Sequence, residues 1–573
     1  MTLTDAVADY VKRMVSLPSV KGMKSLILDQ ETSGIVGLAY TQTLALDNSV
    51  YIVERIDAKS KEMMSHLKAV VFVRPTMPNI GLLKGLLKNP QYQEFHLFFS
   101  NILPREMLRD LAEADAYDLV KEVHEYYADY FAIGSDLFSV NMPLTFSLFG
   151  DSWGDAENAK FNRICDSLLS LALSLKTRPV VRYQGSSPLC DRIAKRVEQV
   201  MAGQRDLFSF GSDSNVRPLL LVLDRREDPV TPLLMQWTYR SILHEVIGMH
   251  NNRLSIRDKE DKQGKVGKKE VVLGDDDAFY KSSALLNFGD LGVAVRAMVQ
   301  GYQKKTKTDR QLDTIEAMQR FVENYSEYLA ESTSVSKHVG LVSELSRIVE
   351  ERNLMELSAI QQSLSCEHSH TQALRSVLDT IKDPKFHDED KLRIVCLYAL
   401  RYEQEQNDTA TCLSLLRDRS TDETFRSRVA LVSQLLRYAG SSVRTQDLYL
   451  NKDIFAKATN LLSSGIKGVE NIFTQHDPLL ARTADAIRKG RLKTTEFPIA
   501  GSNPQLEHST KQVFIFIVGG ATYEEAACIA QINKDNRDCQ FLLGGTTFHN
   551  STSFLDDIAL GNNTSPFTAV DLT

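Results

Sequence analysis

The chain has 573 residues, 43% of them hydrophobic and 25% charged, with a formal net charge of −7. That composition supports large packed cores and argues against wholesale disorder. The acidic balance argues against nucleic acid as the partner, because phosphate binding wants a basic face.

The seven cysteines are scattered without a CxxC pair, which fits reduced thiols in a cytosolic protein. The first twenty residues are amphipathic and carry Asp5 and Asp9, so they do not read as a signal peptide. No apolar run approaches the ~18 residues that span a bilayer.

From residue 24 onward, short apolar runs alternate with helical spacing: SLILD (25–29), VYIVE (50–54), AVVFV (69–73) and FHLFFS (95–100). Continuous apolar strands between helices predict a parallel sheet covered on both faces. A second α/β unit follows, with RPVVRY (178–183) and PLLLVLD (218–224). VFIFIV (513–518) and QFLL (540–543) have the same character at the far end of the chain, and are expected to complete the second sheet. The expected domains are 1–135, a discontinuous 136–230 with 475–573, and a helical insertion at 231–474 with a hairpin near 303–365.

The insertion is expected to be helical almost throughout. It should open with Thr231 as N-cap and Pro232 at the first helical position, bury Leu233, Trp237, Leu243 and Ile247 on one face, and stop at Gly248. Further in, Leu312, Ile315, Met318, Val322, Tyr325 and Leu329 repeat at coiled-coil-like spacing, as do Val335, Val339, Val342, Leu345 and Val349. A helical hairpin follows from the pattern. It is either an ordinary pair in a bundle or a long arm whose apolar seam receives partner helices.

Several motifs touch on chemistry. GDSWG (150–154) matches the nucleophile elbow, but Asp151 and Asp155 beside Ser152 oppose an alkoxide, and a surface turn is the default. HEVIGMH (244–250) misses the zinc-protease spacing, because Gly248 stands where the second histidine belongs. CEHSH (366–370) has possible ligands without a second cluster. Asp224 and Asp228 end a strand and read as salt-bridge or capping residues at a domain junction. The glycine pairs Gly519-Gly520 and Gly544-Gly545 follow strands as phosphate loops do. Thr522 with Glu525 fits a capping box, however, and Ser553 with Asp556 reads as a second capped, acidic helix start. Neither start favours an anion, and the glycines are expected to serve tight strand exits.

LLLVLDRREDPVTPLLMQWTY (219–239), VGGATYEEA (518–526) and LLGGTTFHNSTSFL (542–555) resemble the hallmark blocks of the SM family, the Sec/Munc-type syntaxin-binding proteins of vesicle fusion. VFVRPT (71–76), NNRLSI (251–256), RFVENY (320–325), SVSKHV (334–339), EERNL (350–354) and IKGVENIFTQHDP (466–478) are similar to one branch of it, which serves traffic between trans-Golgi and endosomes.

The resemblance implies an arch of three domains, two parallel-sheet α/β domains and a helical insertion, with no catalytic site, metal or cofactor. It implies a monomer in the cytoplasm, reaching Golgi, endosomal and vesicle membranes only through partners. Those partners are a syntaxin-type (Qa) SNARE, the assembling SNARE bundle, and a tether or Rab effector. Two sites carry over. Leu103, Leu108 and Glu125 would receive the syntaxin N-terminal peptide, unless Leu108 is a core residue of its helix. The hairpin would template SNARE helices, with Ser326 standing where family members commonly have proline. The rival reading is an α/β hydrolase or nucleotide-dependent enzyme using Ser152 or the turns at Gly519 and Gly544.

Overall fold

A computed structural model describes residues 2–58, 63–150, 152–210, 217–260, 266–309, 325–366, 369–449, 476–501, 510–536 and 538–562. The chain divides into two units. The first comprises Met1–Asp224, Ala486–Ala521 and Ile532–Phe548, and the second Arg225–Asp485, Thr522–Gln531 and His549–Thr573.

The first unit holds two sheets. One has strands β1 (Lys24–Leu28), β2 (Val50–Arg55), β3 (Met64–Val73), β4 (Tyr92–Phe99) and β5 (Val120–Glu125). All pair in parallel, in the order β2-β1-β3-β4-β5. The inner strands are apolar on both faces because helices cover both. Ile27, Val71, Val73, Phe95, Leu97 and Phe99 form one core with Leu83 and Leu111 from the helices Met77–Lys88 and Arg105–Ala114.

The other sheet runs Phe131–Ala132, Leu137–Ser139, Gln540–Gly545, Gln512–Val518, Leu219–Asp224, Val180–Tyr183. Only its first pair is antiparallel. Ile515 sits between Leu221 and Leu543, so a strand from late in the chain occupies the middle of the sheet. The glycine pairs serve this packing. A Cβ on Gly544 would lie 2.2 Å from the Phe138 ring, and Gly519 and Gly520 both take φ near +90° as the chain leaves its strand.

The second unit is mainly helical. Its most buried helix is Asp388–Arg401, with every residue from Leu392 to Leu400 inside. It is not helical throughout: Arg253–Glu260 and Val266–Val272 form an antiparallel pair. Nor does a helix open at Thr231. Thr231–Leu233 is a single 3-10 turn, and the helix begins at Tyr239, passing into a π-turn over Leu243–Ile247. Distant partners explain the delay. Asp228 takes the Thr231 N–H at 3.0 Å and its hydroxyl at 2.6 Å. Met235 N–H then donates to Gln361 Oε1 at 2.7 Å, so the helix Leu354–Cys366 takes a backbone donor that would otherwise seek a helical carbonyl, and the Trp237 indole is anchored on Ser358 Oγ at 2.8 Å. Gly248 ends the segment at φ +87°, as expected.

Both late helix starts are capped. Thr522 and Glu525 form the reciprocal box, Glu525 N–H to Thr522 Oγ1 at 3.2 Å and Thr522 N–H to Glu525 Oε2 at 2.8 Å. The second start differs from its expected form. Asn550 is the cap, accepting from Ser553 N–H at 2.8 Å, and the helix is Ser551–Asn562. Asp556 instead pairs with Arg428 at 3.0 Å. Among the described residues no helix is long and apolar enough to cross a membrane.

Candidate functional site

The first candidate surface lies where edge strand β5 meets the helix Arg105–Ala114. Alternation along that helix buries Leu111 and leaves Leu108 42% exposed, so Leu108 is not a core residue. Leu103 is partly buried against the sheet core. Its N–H donates to Glu125 Oε1 at 2.7 Å, while Tyr127 Oη donates to Glu125 Oε2 at 2.7 Å. Glu125 therefore holds the loop with one oxygen while Tyr127 steadies its other, and Leu108 is exposed.

The second candidate is the hairpin. Leu312, Ile315, Met318 and Val322 lie outside the described residues. Tyr325 and Ser326 open the helix Tyr325–Glu351. Along it Leu329 is 54% and Val339 40% exposed, and Val335 and Val342 are partly buried. The buried face is His338, Leu341, Leu345 and Val349, at spacings of three and four. The apolar repeat of the sequence thus splits between an inner and an outer face.

A histidine network that sequence reasoning missed holds this helix. His338 is fully buried, with Nδ1 2.9 Å from Tyr239 Oη and Nε2 3.0 Å from Asp277 Oδ2. Lys337 also pairs with Asp277, which caps the helix Ala278–Ser283. Burial opposes the Asp277 charge, yet His338 and Lys337 hold its carboxyl below the usual carboxylate range. Burial pushes the Tyr239 phenol up, so its hydroxyl keeps its proton beside His338. The local sequence signal, a Lys-His pair within a run of small residues, does not distinguish this from a solvated face.

The chemical motifs resolve into structure. Ser152 is exposed, and the next residue anchors the loop: the Trp153 indole donates to the Leu148 carbonyl at 3.2 Å, and the Arg192 guanidinium lies 3.5 Å from its ring centroid. His244 and His250 both line one cavity of about 370 Å³, with Arg253 and Glu270, because the chain reverses after Gly248. Asp228 also accepts the Leu479 N–H at 3.1 Å, and Glu227 accepts the N–H and hydroxyl of Thr445, both at 2.9 Å. Arg225 forms a buried ion pair with Glu525. At the Gly519 turn the Glu525 N–H is taken by Thr522 and the Thr522 N–H by Glu525, and the Gly544 and Gly545 positions are closed by packing.

Two parallel α/β sheets, one finished by late strands, together with a helical unit whose polar clusters are consumed in capping and pairing, define a scaffold of the Sec/Munc type. The Sec1 family model matches residues 24–557, and the chain belongs to that family. Vacuolar protein sorting-associated protein 45 of Homo sapiens is 40% identical over 563 residues, 97% of this chain and 96% of that protein. Its homolog in Arabidopsis thaliana is 41% identical over 567 residues, 97% of this chain and 98% of that one. A solved structure of the SM protein Vps45 in complex with the Qa SNARE Tlg2 superposes with a TM-score of 0.88 at 38% identity, covering 98% of each chain.

Proposed function

We propose that this chain is an SM protein that binds a syntaxin-type (Qa) SNARE and promotes SNARE assembly for vesicle fusion in trans-Golgi, endosomal and vacuolar transport. The reading rests on one observation above the others: near-complete coverage, at 38% identity, of a protein solved together with a Qa SNARE. The division into 1–135, 136–230 with 475–573, and 231–474 belongs to the same reading. So does peripheral membrane association through partners, including a recruiting tether.

Leu103 and Leu108 receive the syntaxin N-terminal peptide, and Glu125 meets a basic residue of it. The helical arm takes the SNARE motif. Partner helices lose conformational entropy when they fold into a bundle. A preformed seam aligns their register and offsets part of that cost, so the protein works by positioning and makes or breaks no bond. A pull-down with a panel of syntaxin cytosolic domains, with and without their N-terminal peptides, tests this. Capture of none of them overturns it. Labelling of Ser152 by a fluorophosphonate, or a nucleotide-dependent rise in melting temperature, would favour the enzyme reading instead.

A further inference from the structure

Three helices of the second unit bring together four side chains with ligand chemistry. His370 is the first residue of His370–Lys382, and Tyr398 lies in Asp388–Arg401. Glu405 precedes the helix Gln406–Arg419, and Asp408 lies in its first turn. The three helices pack on one another. One ligand atom each of His370, Glu405 and Asp408 lie within 4.8 Å of one another.

The spacing is informative. His370 Nε2 is 2.9 Å from Tyr398 Oη but 3.4 Å from Asp408 Oδ2. A charge-assisted hydrogen bond would close to ~2.7–2.9 Å. Two donors each ~2.1 Å from a tetrahedral zinc ion stand about 3.4 Å apart. A second observation comes from the neighbouring ring. The Tyr402 ring centroid is 4.8 Å from that of His370, and the Tyr402 hydroxyl is buried without a hydrogen-bond partner among the described residues. Buried polar atoms are normally satisfied, so the Tyr402 hydroxyl, on the ring beside His370, is one polar atom that the described residues leave unmatched.

We propose that His370, Glu405 and Asp408 bind a divalent transition-metal ion of the zinc type. One imidazole with two carboxylates suits zinc, whereas magnesium prefers oxygen donors alone. Tyr398 is fully buried, and its hydroxyl stands beside the site as a hydrogen-bonding oxygen. The imidazole binds the ion through the lone pair of an unprotonated nitrogen. Bound there, it ties the starts of the helices His370–Lys382 and Gln406–Arg419 to each other.

The test is calorimetry of Zn²⁺ into the EDTA-stripped full chain, with thermal melts alongside. One site is expected, with a higher melting temperature in Zn²⁺ and no effect of Mg²⁺. His370→Ala and Asp408→Asn should each weaken binding about tenfold or more. Glu405→Gln, at an exposed position that folding does not need, should weaken it as well. Co²⁺ loading should give visible bands without thiolate charge transfer. Absence of heat with the wild type, unchanged affinity in all three variants, or a thiolate band that places the ion on a cysteine would each overturn the proposal.

Discussion

Leu103 donates its backbone N–H to the Glu125 carboxylate at 2.7 Å, tying the loop before the helix Arg105–Ala114 to the end of edge strand β5. The two residues therefore differ from Leu108 as probes of the peptide surface. Leu108→Arg changes an exposed side chain and should shift stability by no more than ~0.5 kcal/mol. It should nevertheless abolish binding of the syntaxin N-terminal peptide in calorimetry. Wild-type affinity in this variant would remove Leu108 from the site. Glu125→Ala strands two donors and should cost about 1–3 kcal/mol of stability, so its binding defect would mix two effects.

Arg225 and Glu525 are both buried, 3% and 1% exposed at their side chains, and 300 positions apart in the chain. Glu525→Gln keeps an oxygen for the Thr522 N–H but removes the carboxylate that pairs with the guanidinium, leaving it the charge of Asp228. The expected loss is about 3–5 kcal/mol, read as a lower midpoint in denaturant. Arg225→Met combined with Glu525→Gln should recover part of it. A double variant as unstable as the sum of the two singles would mean that the pair does not interact.

Both sheets were legible because apolar runs such as AVVFV and VFIFIV have no other stable environment than a sheet covered on two faces. The capping box at Thr522 was legible because its two members are three residues apart. What failed depended on distant partners. Nothing near Thr231 reveals that Gln361 will take the backbone N–H of Met235 and Ser358 the indole of Trp237, so the helix was expected seven residues too early. Apolar periodicity likewise placed Val339 in the seam and overlooked His338. The buried face contains a histidine only because Tyr239 and Asp277 satisfy both its nitrogens. At the first candidate surface the residue types were readable, but whether Leu108 is a core or a surface residue was decided only by the sheet beneath the helix, which buries Leu111 and leaves Leu108 exposed.

The arm poses a sharper question at Ser326, in the helix Tyr325–Glu351, which borders on residues outside those described. Proline in the first turn of a helix is tolerated, whereas in an interior it costs ~3 kcal/mol. Ser326→Pro therefore reports whether the working arm extends upstream of Tyr325 when SNAREs bind. We expect more hairpin cleavage in limited proteolysis and slower SNARE assembly. No change in either would show that Ser326 is not a control point.

Glu524 supplies a pH dependence. Burial, with Asp477 and Glu525 nearby, raises its carboxyl from 4.5 to about 7. The folded chain thus holds a proton that the unfolded chain releases between those values. Stability from this group is full below pH ~4.5 and is lost as pH rises through about 7. Glu524→Gln mimics the protonated form at every pH. It should melt about 2–4 °C above wild type at pH 8, with the gap closing toward pH 5. Melts of both proteins across pH 5 to 8 check this. A constant offset would assign the gain to packing, and a gap that widens on acidification would reverse the assigned direction.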